Sequence, residues 1–132
     1  METAIKSVDS QTEKQCLRIL SNLVETVPHV SGALLASADG HALASHFDSQ
    51  EPRSTAAIVA SSLGLGQRLS DLVGPQPLEE LVVRSKGGYV VIYSIGDRGA
   101  VIVLAEPAVN LAMLHLRAKD VTKELEAAID DG

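Results

Sequence analysis

The chain is poor in aromatic residues, with one Phe, two Tyr and no Trp among 132 positions. A core assembled without large rings must be built from Ala, Val, Leu and Ile, and the length suffices for one such core but not two. The sequence is therefore expected to form a single domain over 1–132, with 1–10 and 130–132 as flexible ends. Cys16 is the sole cysteine, which excludes an intramolecular disulfide and suits a reducing compartment. It falls on the apolar stripe of an expected helix, where a thiol acts as a small buried hydrophobe. No run reaches about 18 uninterrupted apolar residues, and the opening METAIKSVDSQTEK offers no apolar stretch fit for a signal peptide. A soluble cytoplasmic protein is expected. Positive charge is scarce too: 11 Lys and Arg stand against 17 Asp and Glu, for a net charge of −6. Without a basic cluster, neither nucleic acid nor an anionic membrane surface is an expected partner.

Constellations that carry chemistry are missing as well. His29, His41, His46 and His115 are not paired with cysteines or carboxylates at metal-ligand spacing, and His41 and His46, five apart on one expected strand, point to opposite faces. Gly64 and Gly66 lie inside a helical pattern, and Leu69 stands where a third glycine would be needed for a dinucleotide loop. No Gly-x-Ser-x-Gly elbow occurs, and Ser61 and Ser62 sit in mid-helix. The adjacent carboxylates Glu79 and Glu80 face opposite ways on a strand, while Asp130 and Asp131 belong to the terminal tail. These absences lead to the expectation of no catalytic residue, no metal and no cofactor.

What the chain does have is an uncharged helix. From Ser54 to Gln67 there is no charged residue, and at one hundred degrees per residue Ile58, Leu65, Leu69 and Leu72 form a stripe expected to face the core. The opposite side carries Ala56, Ala60, Leu63 and Gln67, with Ala57, Val59 and Gly64 beside them. A helix apolar nearly all round is buried on both sides, which points to a partner over the second side. Alanine is also the best helix former, so exposed alanines alone have a second explanation.

The remaining elements follow in order. Ser10 and Glu13 read as a capping box opening a helix that runs to about Thr26, with Cys16, Ile19, Leu20, Leu23 and Val27 on its apolar side and Pro28 as its stop. SGALLASA, Asp39-Gly40 and HALASHF form a hairpin signal, with a type I′ turn expected and the more polar second strand at an edge. Pro52 lies in the first turn of the central helix, and Gly74-Pro75 is expected to end it with a left-handed cap. LEELVVRS, YVVIYSI and AVIVLA are three further strands, the first at the other edge and the last two covered on both faces. Pro107 opens a final helix with Leu111, Leu114, Ala118, Val121, Leu125 and Ala128 inward, and Arg117, Lys119, Asp120, Lys123, Glu124 and Glu126 in solvent. The predicted fold is α+β, a five-stranded antiparallel sheet with helices on both faces in the order α-β-β-α-β-β-β-α.

In that order, VSGALLASADGHALASHF, the uncharged helix and GGYVVIYSIGDRGAVIVLAEPAVNLAMLHL resemble the Roadblock / dynein-light-chain family, and specifically its prokaryotic MglB-like members. The resemblance runs from about Glu13 to Ile129 and rests on Ala38-Asp39-Gly40 at the end of the first strand and on the double hairpin from Gly87 to Leu104. It implies a homodimer with antiparallel central helices and third strands paired into a ten-stranded sheet. On that basis Ala56, Ala60, Leu63, Gln67, Leu81 and Val83 are expected at the dimer interface. It further implies a non-catalytic regulator or scaffold that binds a Ras-like small GTPase, with Arg53, Arg68 and Asp71 as the polar groups left for that partner. The competing expectation is a ligand-sensing or signalling adaptor, because profilin-like sheets also occur in sensors.

Overall fold

A computed structural model describes residues 8–47 and 52–131. The elements are α1 (Ser10–Thr26), β1 (Val30–Ser37), β2 (Ala42–His46), α2 (Pro52–Ser70), β3 (Glu80–Ser85), β4 (Gly88–Ile95), β5 (Gly99–Ala105) and α3 (Leu111–Asp131). The five strands form one sheet in the order β2-β1-β5-β4-β3, and every neighbouring pair is antiparallel. The expected element order, sheet and edge strands are therefore all present.

Alternation along the strands makes two cores of unequal size. Ala33, Leu35, Val91, Tyr93, Val101 and Val103 face α1 and α3, where Cys16, Leu20, Leu23, Leu114, Val121 and Leu125 are buried. Leu34, Ala36, Ile92, Ala100 and Ile102 face α2 and, among the described residues, meet only Ala56 and Val59 of that helix as buried partners. One face thus carries two helices and the other carries one.

Local chemistry differs from expectation at four element ends. Asp9, not Ser10, caps α1, its carboxylate accepting from the Thr12 N–H at 2.7 Å; Ser10 is already helical. The β1–β2 turn closes through Gly40 N–H to Ser37 C=O at 3.1 Å and Ser37 N–H to His41 C=O at 2.8 Å. Within it only Gly40 has positive φ, at 93°, so this is a three-residue loop with a glycine bulge rather than a type I′ turn, and the pairing shifts register at Leu35/Ala36. Gly74 is not left-handed, since positive φ is confined among the described residues to His29, Gly40, Gly88 and Gly96. The end of α2 is instead secured by Gln67, whose amide donates to Gln76 C=O at 3.0 Å and accepts from Leu78 N–H at 2.8 Å. Asn110 caps α3 by accepting from Met113 N–H at 3.0 Å, which moves the start of that helix past Pro107.

The largest difference concerns which side of α2 meets the sheet. Ile58, Leu65, Leu69 and Leu72, expected inside, are 66%, 63%, 62% and 83% exposed, whereas Ala56 is fully buried. Small residues are what permit a helix to lie close on a sheet. A Cβ at Gly66 would stand 2.9 Å from Leu78 Cδ2, and one at Gly40 would stand 3.4 Å from the Ala60 Cβ. The alanine and glycine side of α2 is therefore the inner one, and the larger aliphatics project outward.

Candidate interaction surface

The outward stripe of α2 borders a part of the sheet that, among the described residues, no helix covers. A groove of about 250 Å³ is lined by Thr55, Ile58, Val59 and Ser62 of α2 and by Val83, Val90, Ile92, Ile102 and Leu104 of the sheet. Its walls are nearly all apolar, and Val83 on the edge strand is 50% exposed. At one hundred degrees per residue, Leu65 and Leu69 fall within about 20° of Ile58 and continue the wall of this groove along the helix. An apolar surface joining a helix to an open sheet face is the kind of patch that marks contact with another macromolecule.

The residues expected at an interface divide between two environments. Ala56 is buried on the sheet, and Leu63 and Leu81 are half-buried against the same cluster. Ala60 packs over Gly40, and Gln67 ties α2 to the segment before β3. The side of α2 carrying these residues is occupied by the chain's own sheet, so the free side is the opposite one; of the six, Val83 alone is on the exposed surface. Sequence reasoning missed Ile58, Leu65 and Leu69 as surface residues because it ranked faces by side-chain size.

Of the residues expected to bind a second protein, Arg68 is exposed and has no ion-pair partner among the described residues. Asp71 is also exposed and accepts from Gln67 Nε2 at 3.0 Å, which diverts part of its capacity into the fold. Arg53 lies in the first turn of α2, but its side chain is outside the described residues.

On the other face, beside the edge, three polar groups form a chain. Tyr93 Oη lies 2.6 Å from His115 Nδ1, and His115 Nε2 lies 3.2 Å from Glu80 Oε2. The Tyr93 hydroxyl donating to Nδ1 leaves the ring proton on Nε2, where it faces the carboxylate. Burial, with a lesser contribution from the Glu80 charge, pushes the Tyr93 hydroxyl well above its ordinary value, so it remains a donor at neutral pH. This chain fixes the position of Glu80. Around the β1–β2 turn, Asp39 Oδ1 accepts from the Ser37 hydroxyl and lies 3.0 Å from His41 Nδ1. Those bonds, Ser37 first, hold its carboxyl below the ordinary range. Among the described residues no group of three His, Cys, Asp or Glu side chains could hold a metal ion, and no helix is long and apolar enough to cross a membrane.

Residues 17–105 match the model of the Roadblock/LC7 domain. No curated protein sequence matches the chain. The Roadblock/LC7 domain from Streptomyces avermitilis superposes with a TM-score of 0.78 at 24% identity, covering 84% of this chain and 94% of that one. The gliding protein MglB from Thermus thermophilus gives 0.87 at 16% identity over 100% of both chains. Myxococcus xanthus MglB gives 0.83 at 16% identity, covering 94% of this chain and 93% of that one.

Proposed function

The chain belongs to the Roadblock/LC7 family, and from that premise we propose that it is a homodimeric, non-catalytic cytoplasmic regulator or scaffold that binds a Ras-like small GTPase. The domain spans the whole chain in this reading. The observation that carries it is the uncovered apolar surface formed by Ile58, Leu65 and Leu69 of α2 with Val83 and Val90 of the sheet. A second copy of α2, running antiparallel to the first, covers both the stripe and the groove. Burying each aliphatic contributes about 1.5–3 kcal/mol, while association costs about 4–15 kcal/mol. Across a two-fold interface six such side chains are buried, about 9–18 kcal/mol in all, a gain of the same order as the cost, to which the open sheet face and the β3 edge add.

With the groove side of α2 taken up by the partner copy, the side bearing Ala57, Ser61, Gly64 and Arg68 remains outward on both protomers. It forms a low ridge with small residues in its middle and a guanidinium that can pair bidentately with a carboxylate. The GTPase docks there in this proposal. Calorimetric titration with Ras-like GTPases of the same cell, each loaded with GDP or a non-hydrolysable GTP analogue, should show saturable binding that favours one nucleotide state. The nucleotide hydrolysis rate of the bound GTPase should be followed in parallel. A monomer by light scattering that gives no binding heat in either state would sink the proposal.

A further inference from the structure

We propose that the groove between the end of α1 and the first turns of α3 is a docking site for a basic amphipathic helix of a second protein. The inference goes beyond the GTPase-regulator reading and does not depend on it, because α1 and α3 lie on the face of the sheet away from α2.

Among the described residues, all but two of the exposed large hydrophobics belong to α2, to the turn after it or to β3. The two are Met113, 41% exposed, and Leu116, 68% exposed. The inward stripe of α3 runs through Leu114, Ala118, Val121 and Leu125, and Leu116, two residues on from Leu114, falls about 200° round the helix from it. The chain's own core therefore does not account for Leu116, which stands on a side that otherwise carries Lys119, Asp120, Lys123 and Glu124. Between the helices lies a groove of about 310 Å³, lined by Thr26 and Val27 at the end of α1 and by Met113, Leu116, Arg117 and Asp120 of α3. Arg117 braces it, since its Nη2 donates to Asn22 Oδ1 at 2.7 Å and fixes α3 against α1. Apolar anchors one turn apart on a braced wall suit the i, i+3, i+4 and i+7 side chains of an incoming helix, and methionine adapts to the shape it meets.

Charge selects the occupant. α1 ends beside the groove with no basic residue in its last turn. Glu25 stands exposed there instead, and it has no cationic partner among the described residues. Pro28 follows, and without an N–H it cannot satisfy the last carbonyls. The negative end of the helix dipole is thus reinforced and left open to solvent. On the α3 wall, Arg117 is the one cation of the lining; it is only 25% exposed and is shared between Asp120 at 4.0 Å and Glu124 at 3.5 Å. Glu25, Asp120 and Glu124 against Arg117 leave the rim with an excess of negative charge. Lys119 lines the opposite flank of α3, beside Tyr93 and Thr122, and Lys123 is about 10 Å along the helix from Leu116. Lysines or arginines on the flanks of a docked helix meet these carboxylates and carbonyls, whereas an acidic helix is repelled.

Fluorescence anisotropy with a labelled peptide of about 15 residues, leucine at those spacings and lysine elsewhere, tests it. Binding to the full chain should saturate and should weaken as salt is raised, and the same peptide with glutamate in place of lysine should not bind. Leu116→Ser should weaken binding on the order of tenfold, as expected for the loss of a central apolar anchor. Glu25→Lys should weaken it too and should reduce its salt dependence. Leu65→Ser, on α2, should leave it unchanged. Leu116 and Glu25 are both exposed, so these variants should fold, and circular dichroism melts check that they do. Equal binding of the two peptides, or binding lost through Leu65→Ser in place of Leu116→Ser, overturns the proposal and leaves the homodimer reading standing. A fall in self-association on Leu116→Ser, seen by sedimentation, also overturns it, because the groove then belongs to a second copy.

Discussion

Ala60 lies over the β1–β2 turn: a Cβ at Gly40 would stand 3.4 Å from the Ala60 methyl and 3.5 Å from Ala57 Cα. The inner side of α2 is therefore fastened to the hairpin through residues that are all small, and a large side chain at position 60 has to displace the turn itself.

Ala60→Arg should accordingly destabilise the single chain, by about 1–3 kcal/mol from overpacking alone. Thermal melts at low protein concentration would register it. Leu65→Arg, on the exposed stripe, should leave the fold within about 0.5 kcal/mol and act only on association, seen as a loss of the dimer by sedimentation. Equal effects of the two substitutions on folding would contradict the assigned orientation of α2.

Two glycines should respond in opposite directions to alanine. At Gly66 the new methyl meets the mobile end of Leu78, at 2.9 Å, and the helix gains up to about 1 kcal/mol in propensity. Gly66→Ala should be neutral to mildly stabilising. At Gly88, φ is 138° and a Cβ would stand 2.2 Å from the Ala105 carbonyl oxygen, which is backbone and cannot give. Gly88→Ala should cost more than about 2 kcal/mol, read as a fall in the denaturant midpoint.

The contrast between those sites shows what the sequence carried and what it did not. Strand runs such as YVVIYSI and the stripe from Leu114 to Leu125 state their period in size and polarity, and they fold as they read; Asp39-Gly40 marked the place of the turn but not its type. On α2 the period was equally visible, but its two apolar sides differ by volume and not by polarity. Size alone favours Leu65 as the inner residue; the close approach of α2 to the β1–β2 turn at Gly40, a property of the assembled fold, decides for Ala56. Element ends failed for a related reason. Asp9 and Ser10 both cap well, and which one does so depends on where the preceding chain leaves the helix. Which of the two apolar sides of α2 lies on the sheet was not legible, and Ile58, Leu65 and Leu69 are the ones left exposed.

Cys16 is fully buried, and burial, followed by the Glu13 charge, pushes its thiol above the ordinary 9.0. The thiolate that would react is therefore scarce at neutral pH. Alkylation should be slow in the native protein and rapid in denaturant. Fast labelling without denaturant would contradict the packing of α1 on the sheet.

Asp39 has a folded-state affinity for protons below that of its unfolded form, whose ordinary value is 3.8. Its contribution to stability is thus present above that value and is lost as pH falls through the lower folded one. Asp39→Asn should flatten the acid limb of the stability curve below about pH 4, and the carboxyl resonance of Asp39 should titrate lower than that of an unstructured peptide.

Arg68→Glu should leave folding and self-association unchanged and weaken GTPase binding by about 1–3 kcal/mol, the scale of a charged contact at an interface. Unchanged affinity, with binding lost instead on altering Arg117 or Lys119, would move the docking surface to the α1 and α3 face.

The two edges of the sheet are not equivalent. β2 is five residues long, departs from regular pairing where the register shifts between Leu35 and Ala36, and is flanked by contacts to both α1 and α2. β3 is straight, regular and bare. A fold with one sticky edge and one blunt one has a valence of one. Edge-to-edge association in the proposed homodimer would use that one open edge and close there, so concentrating the protein should not extend the sheet into a filament.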